Sequence, residues 1–501
     1  MNPILKHANR SITPLGIVLI LSAFTHLWNP VGFPDLFYDE GVYMRRAMHV
    51  LNGLGPQESY FHDHPFFGQL FLAGVLAVTG YPNSLYPAAD VHSIEMLYLV
   101  PRLLMGMLAV IDTFLVYKIS QHRYNRNVAL FASILFAVMP VTWLFRRILI
   151  DSLLLPFLLS SILFALYADD SKNKDRIPVL LSGIFLGLAI FTKIPIFTMI
   201  PLVGFLIRTN GNSGSRNLKT LVLWFIPVIL IPLIWPAQSL LSGQFDLWLK
   251  DVLWQTQRQG EGLSSIVTSF FMIDPILLVL GSVGLVYAAI KRDLLLLLWA
   301  IPFVIFLSVI AYVQYFYWIP ILPAFCIGAA RLIVDLSDKI RKKKLQQILL
   351  FAIISGIGVF GLVTITMLIT THVSSQFEAT AYVAQYVRDN NDSGNSNKNM
   401  TIISSPVYSW IFSYVFHKDH VFSDYRDLLY YPVQTEKVIL IADQHFKYNI
   451  GAGEALRIMY NNTRTVAIFR GGVLDYDLSK YPYTSMSLNY EGSIVEIRIR
   501  E

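Results

Sequence analysis

The stretch MNPILKHANRSITPLGIVLILSAFTHLW, residues 1–28, decides the fold. It has the basic flank and apolar middle of a secretory signal, yet it lacks a small-x-small cleavage site and its apolar part runs on into aromatics. It is therefore expected to stay in place as a first membrane span, over about residues 12–29. Composition agrees with a polytopic chain. Of 501 residues, 54% are hydrophobic and only 14% charged, the mean hydropathy is +0.52, and the apolar residues come in long blocks rather than in a period-2 or amphipathic pattern.

Parity of the basic turns extends this outward. With Lys6 and Arg10 on the cytoplasmic side, residues 30–95 form a large outer loop. Spans near 97–119, 128–145, 149–168, 178–192, 194–207, 219–240, 270–290, 294–311, 315–333 and 347–371 then alternate across the bilayer. The turns QHRYNRN (121–127), DDSKNKDR (169–176), RTNGNSGSRNLK (208–219), Lys291-Arg292 and DKIRKKK (338–344) all fall inside, where the positive-inside rule puts them. The net charge of +6 thus reports topology and implies no nucleic-acid partner. Cys326, the single cysteine, has no disulfide partner and belongs to no CxxC pair, which leaves it a packing or lipid-facing role.

The expected fold is an all-α polytopic membrane domain of about eleven spans over residues 1–372, followed by a soluble α/β domain over 373–501 on the same side as the 30–95 loop. The tail begins with the Asn/Ser-rich break DNNDSGNSNKNM (389–400), then carries the β-like runs MTIISSPV (400–407), EKVILIAD (436–443), TVAIFRGG (465–472) and SIVEIRIR (493–500).

Four features carry candidate chemistry. FYDEGVYMRR (37–46) places Asp39 and Glu40 just past the first span. The pair is either the acidic first turn of an amphipathic surface helix, with Arg45 and Arg46 on its polar face, or a general base at the membrane surface. YFHDHPFFGQLFLAGVLAVTG (60–80) is expected to be a juxtamembrane or re-entrant helix, because counting it as a span would put every later basic turn outside. Its HDHP triplet is a weak metal pattern, and His64 is read as structural or acceptor-contacting. Arg102, Arg146, Arg147, Lys193 and Arg258 all fall at the outer ends of spans, and charge at membrane depth is costly unless it works or snorkels. Asp151 is either a ligand-facing carboxylate or a salt-bridge partner of Arg147 one turn earlier.

Taken in order, DEGVYMRRAMHVLNG, HPFFGQLFLAG, PRLLMGMLAV, RRILIDSLLLPFLL, GLAIFTKIPIFTMIP and YFYWIPILPAFCIGAA resemble the landmarks of the GT-C membrane glycosyltransferases. The nearest likeness is to the dolichyl-phosphate-mannose–protein mannosyltransferases and the aminoarabinose transferases that modify lipid A, and it covers roughly residues 12–335. The resemblance implies sugar transfer from a dolichyl or undecaprenyl phosphate to a hydroxyl or similar acceptor on a protein, lipid or glycan. In that picture Asp39 and Glu40 are catalytic, Asp39 being the base, and His64, Arg102, Arg147, Asp151, Lys193 and Arg258 contact substrate. No metal ligand is assigned and no cofactor required, a divalent metal being left open. The chain would be a multi-pass protein, most simply of the plasma membrane, with a cytoplasmic N-terminus. Two departures stand out. Phe66 replaces the second Pro of an HPPxGK-like motif and Gln69 stands where a Lys associated with the donor phosphate would be, so Arg102, Lys193 or Arg258 must carry that charge. No WWDYG-like motif occurs in 373–501, which disfavours en-bloc glycan transfer. The rival from another class, a transporter or flippase of lipid-linked sugars, would be expected to show an internal repeat and mid-span charges, and neither is evident. A non-catalytic scaffold is the third alternative.

Overall fold

The computed structural model describes residues 3–58, 62–168, 176–209, 214–258, 262–310, 312–370, 375–392, 400–471 and 494–500. In chain order the α-helices before the sheet are α1 (Pro3–Leu27), α2 (Tyr38–Leu51), α3 (Phe67–Val78), α4 (Val91–Arg123), α5 (Arg126–Val138), α6 (Ile150–Tyr167), α7 (Ile177–Thr192), α8 (Ile200–Thr209), α9 (Gly214–Leu230), α10 (Ile234–Leu241), α11 (Phe245–Gln257), α12 (Gly262–Ile273), α13 (Pro275–Ile290), α14 (Leu294–Val309), α15 (Leu322–Ser337), α16 (Lys343–Ile369) and α17 (Ser375–Asp392), with three short ones, Pro406–Trp410, Gln444–Asn449 and Glu454–Asn461, among the strands. Each of the eleven expected spans is largely helical over its described residues. Among the described residues five segments are long and apolar enough to cross a membrane, and up to seven if each of two bent pairs counts as one. The rest, including Pro14–Leu27, Ile177–Thr192, Ile194–Thr209 and Leu294–Val309, are apolar but shorter, so a count of eleven is not established by length and composition.

Both bent pairs break where the sequence offers helix-start chemistry inside an apolar run. The 128–145 stretch turns by 66° at Pro140. The stretch expected as 270–290 starts earlier, at Gly262, and turns by 120° between Ile273 and Pro275. There the Asp274 carboxylate accepts from the Leu277 amide at 2.9 Å and Pro275 takes the first helical position.

The bundle is a row of packed neighbours, α13, α15, α5, α4, α6, α7 and α9, with α1 laid over α4 and α5. Small residues allow the closest crossings. A Cβ on Gly284 of α13 would stand 2.3 Å from the carbonyl carbon of Gly328 in α15, and one on Gly183 or Gly187 would come within 2.3 Å or 2.6 Å of the Trp224 or Pro227 carbonyl oxygen. Cys326 lies buried in the α15 packing. By contrast α9, α10 and α16 leave Val222, Phe225, Leu241, Phe351 and Val363 exposed, as an apolar belt facing lipid would.

All four β-like runs become strands: β1 (Met400–Ile403), β2 (Lys437–Ala442), β3 (Arg464–Arg470) and β4 (Ile494–Arg500). They pair in the order β1-β2-β4-β3, with β1 and β2 parallel and the other pairs antiparallel. The tail is not set apart from the bundle. One apolar core runs continuously from Phe33, Leu97 and Phe136 to Phe377, Trp410, Ile439 and Ile497.

Candidate functional site

Helix α2, in the 30–95 loop, is the element on which the site is built. Glu40 at its third position accepts from the Phe37 amide at 2.9 Å, closing the first turn. Because successive residues on a helix diverge by about 100°, Tyr38, Asp39 and Glu40 point three ways.

Glu40 points into the bundle and is fully buried. Arg102 donates to it through Nε at 3.0 Å and Nη2 at 2.8 Å, Arg147 through Nη1 at 3.1 Å, and the Ile148 amide at 3.0 Å. Burial works against this carboxylate's charge, and the two guanidiniums outweigh it, holding Glu40 below the usual range. The arginines spend their remaining donors on the loop. Arg102 reaches the Pro30, Pro34 and Asp35 carbonyls, and Arg147 the Asp35 carbonyl and carboxylate at 2.7 and 2.8 Å. Arg146 donates to four backbone carbonyls, those of Thr25, Trp28, Asn29 and Phe33. Three of the outer-end cations therefore clamp the irregular segment 28–36, and both Arg102 and Arg147 are wholly buried. The expected alternative of an Arg147–Asp151 bridge is replaced: Arg147 faces Asp35 and Glu40, and Asp151 pairs elsewhere.

Asp39 points into a partly open crevice instead. Burial raises its carboxyl to about 6; Lys193 and Arg258 oppose that rise, while Asp63 and Asp151 add to it. Lys193 holds Asp151 in a two-pronged contact at 2.7 and 2.9 Å, with its ammonium 4.0 Å from the Tyr317 ring centre. Its position is set by the end of α7, where Lys193 is the cap residue and Pro195 follows. Arg258 caps α11 and lays its guanidinium on the Tyr312 ring at 3.4 Å, beside Trp254 at 4.9 Å.

Residues 62–80 form α3 with its preceding turn beside these groups. His64 stays neutral, lowered to about 4 by burial and by Lys193, Arg46 and Arg258 against the pull of Asp63. Asp63 binds Arg46 Nη2 at 2.6 Å, and Glu58 accepts from Arg45 at 2.8 and 3.0 Å. Arg45 and Arg46 are thus buried in ion pairs rather than lying on a polar surface face. His62 turns away, its amide donating to Asp251 at 2.6 Å. Among the described residues no three His, Cys, Asp or Glu side chains gather closely enough to hold a metal ion. Gln69 is buried and donates to the Pro56 carbonyl, bracing the loop. The structure adds Asp35, Arg46, Asp63, Tyr312 and Tyr317 around the expected residues. Arg46 and Asp63 carried a sequence signal, as a base of FYDEGVYMRR and as the centre of HDHP; the tyrosines sit in or beside a run quoted for its order alone.

The chain as a whole, a bundle of apolar helices with a mixed sheet after the last of them, aligns with solved structures along nearly its whole length. The chain shares its fold with solved membrane glycosyltransferases. ArnT from Cupriavidus metallidurans in the apo state aligns over 98% of this chain and 98% of its own, with TM-score 0.58 and 11% identity. The same protein bound to undecaprenyl phosphate aligns over 97% of each chain, with TM-score 0.52 and 13% identity. The oligosaccharyltransferase AglB from Archaeoglobus fulgidus, in complex with an inhibitory peptide and a dolichol-phosphate, aligns over 93% of this chain and 74% of its own, with TM-score 0.58 and 12% identity. A family model described as dolichyl-phosphate-mannose-protein mannosyltransferase matches residues 16–235, the part of the chain that holds Asp39, His64, Asp151 and Lys193. By sequence, no curated protein matches the chain.

Proposed function

We propose that this protein transfers a sugar from a polyprenyl phosphate to an acceptor hydroxyl or similar nucleophile on a protein, lipid or glycan. The observation that carries the proposal is Asp39, a carboxyl raised to about 6 in a crevice whose nearest cationic influences are Lys193 and Arg258. A group with that affinity for protons is ionised at neutral pH and still basic enough to take a proton in the transition state. The donor's leaving group is a phosphate diester becoming a monoester, so cations rather than a strong acid are what its departure needs. Dolichol-phosphate and undecaprenyl phosphate are the lipids named in the AglB and ArnT complexes.

In the step proposed, Asp39 accepts the proton of the acceptor O–H as its oxygen bonds to the anomeric carbon. The bond from that carbon to the phosphate oxygen breaks, and polyprenyl phosphate departs toward Lys193 and Arg258. Retention would need a second carboxylate free to act as nucleophile. Asp151 is bound to Lys193 and Asp63 to Arg46, which supports direct displacement with inversion. Glu40, Arg102 and Arg147 act in this scheme by fixing α2, while neutral His64 faces the acceptor. The multi-pass chain is placed in the plasma membrane, N-terminus in the cytoplasm, with the crevice and the 373–501 region outside.

The test is transfer of labelled sugar from a panel of polyprenyl-phosphate hexoses in membranes expressing the chain. Asp39→Asn should lose about 10²–10⁴-fold in rate. Full activity in that variant would remove Asp39 as the base, and no transfer from any polyprenyl donor would favour a transporter.

A further inference from the structure

Tyr38, the residue before Asp39, points away from both the bundle and the crevice, into the C-terminal region. Its side chain is 9% exposed and is held from every side by groups more than 380 positions later in the chain. The hydroxyl donates to the Asp424 carboxylate and accepts from Arg426 Nη2. Arg426 also donates to Asp424 through Nε at 3.1 Å and Nη2 at 2.8 Å, and its guanidinium lies 4.8 Å from the Tyr38 ring centre. The other face of the ring chemistry is His445, stacked on Tyr38 with centroids 4.1 Å apart and planes at 21°. His445 is turned by the Tyr425 hydroxyl, 2.6 Å from its Nδ1.

The same stripe of α2 continues the contact. Gly41 lies so close to the backbone of Pro406–Trp410 that a Cβ there would stand 2.1 Å from the Val407 amide nitrogen. Val42 packs on the Tyr425 and Leu440 cluster, and Arg45 donates to the Ser423 carbonyl at 3.1 Å. Residues 38, 41, 42 and 45 are the i, i+3, i+4, i+7 positions of one helix face. Glu40 fixes the opposite side of the first turn to Arg102 and Arg147. Asp39 thus projects from a turn held between two bodies, and no hydrogen bond to a described residue anchors its own side chain.

We propose that the C-terminal region is a working part of the site: Asp424, Arg426 and His445 clamp Tyr38 and thereby set the position of Asp39. These are positioning residues; they do not touch the reacting atoms. The proposal rests on the assignment of Asp39 as base. The Glu40 contacts hold one side of the first turn, and the stacked, doubly hydrogen-bonded Tyr38 ring holds the other. Displacement of a reacting group by about 1 Å costs up to about 10²-fold in rate without altering how remote parts of a substrate bind.

The experiment measures kcat and donor KM for transfer from polyprenyl-phosphate hexoses in Tyr38→Phe, Asp424→Asn, the double variant and Asp39→Asn, with the detergent melting temperature of each. Tyr38→Phe keeps the stacked ring and loses only the hydroxyl. The expected result is a kcat loss of about 10- to 100-fold in each clamp variant with donor KM within about two-fold of wild type, and no further loss in the double variant because both remove one contact. Wild-type kcat in Tyr38→Phe and Asp424→Asn alongside an inactive Asp39→Asn overturns the clamp and leaves the base standing. An active Asp39→Asn overturns both. A loss that appears only as raised donor KM, or only in step with a lowered melting temperature, overturns a positioning role.

Discussion

Asp39 and Glu40 are neighbours with opposite environments, and their behaviour should separate. If Asp39 is the base proposed above, it acts in its ionised form, and transfer should rise with pH along an acid limb with its midpoint near 6, where burial has placed this carboxyl. Arg258 favours the ionised form; Arg258→Gln should therefore move the midpoint upward as well as slow the reaction. The groups that face Asp39 and could add limbs are Lys193, Asp63 and Asp151, all ion-paired, and His64, neutral throughout this range. A pH–rate profile across the acid range checks both statements. For Glu40 the expected loss is of the fold. Glu40→Gln keeps the shape but leaves Arg102 and Arg147 buried with one carboxylate, Asp35, between them, at a cost of about 3–5 kcal/mol. A thermal melt in detergent reads this; a variant that melts like wild type and is merely inactive would make Glu40 a reacting group instead.

At the scale of elements, the helix α2 joins the bundle to the sheet-bearing region, and Gly41 sets how closely. Gly41→Ala forces α2 off the Pro406–Trp410 backbone, since a backbone amide cannot swing aside as a flexible side chain can. The expected cost is about 1–3 kcal/mol, read as a lower melting temperature and faster proteolysis within the 375–471 region, together with reduced transfer. The pattern of bases was legible here only in part. Helix α2 itself follows from acids in its first turn and its apolar spacing. That Arg45 and Arg46 are buried did not follow, because their partners Glu58 and Asp63 lie beyond the helix and a basic pair on a helix face is ordinarily solvated. The break at Asp274-Pro275 was not read from the sequence, because it lies inside the apolar run 270–290, long enough to pass for one straight span.

For the whole molecule the open quantity is orientation, and Cys326 makes it measurable because its thiol is wholly buried. Arg457→Cys, exposed in the C-terminal region, should react with a membrane-impermeant maleimide on intact cells. Lys344→Cys, exposed just before α16 leaves its basic turn, should react only after permeabilisation. The reverse pattern would invert the topology. A C-terminal region that reaches α2 and α17 packed along α4 also means that the boundary near residue 372 divides composition rather than core, since Phe377, Tyr408 and Trp410 share the bundle's apolar interior.

By itself the sequence determined the run of membrane helices, the four strands of the tail and the order of landmarks that led to Asp39. These are properties of local composition, of charge in turns and of period, all carried by neighbours in the chain. Only the tertiary structure decided which charges are spent on holding the fold and which remain in the crevice. Arg102, Arg147, Lys193 and Arg258 are alike as cations at span ends, and what distinguishes them is whether Glu40 and Asp35, or Asp151 and an aromatic ring, meet them in space. Tyr38 carried no signal at all, because its partners lie more than 380 residues away and only folding brings an ion pair to a phenol.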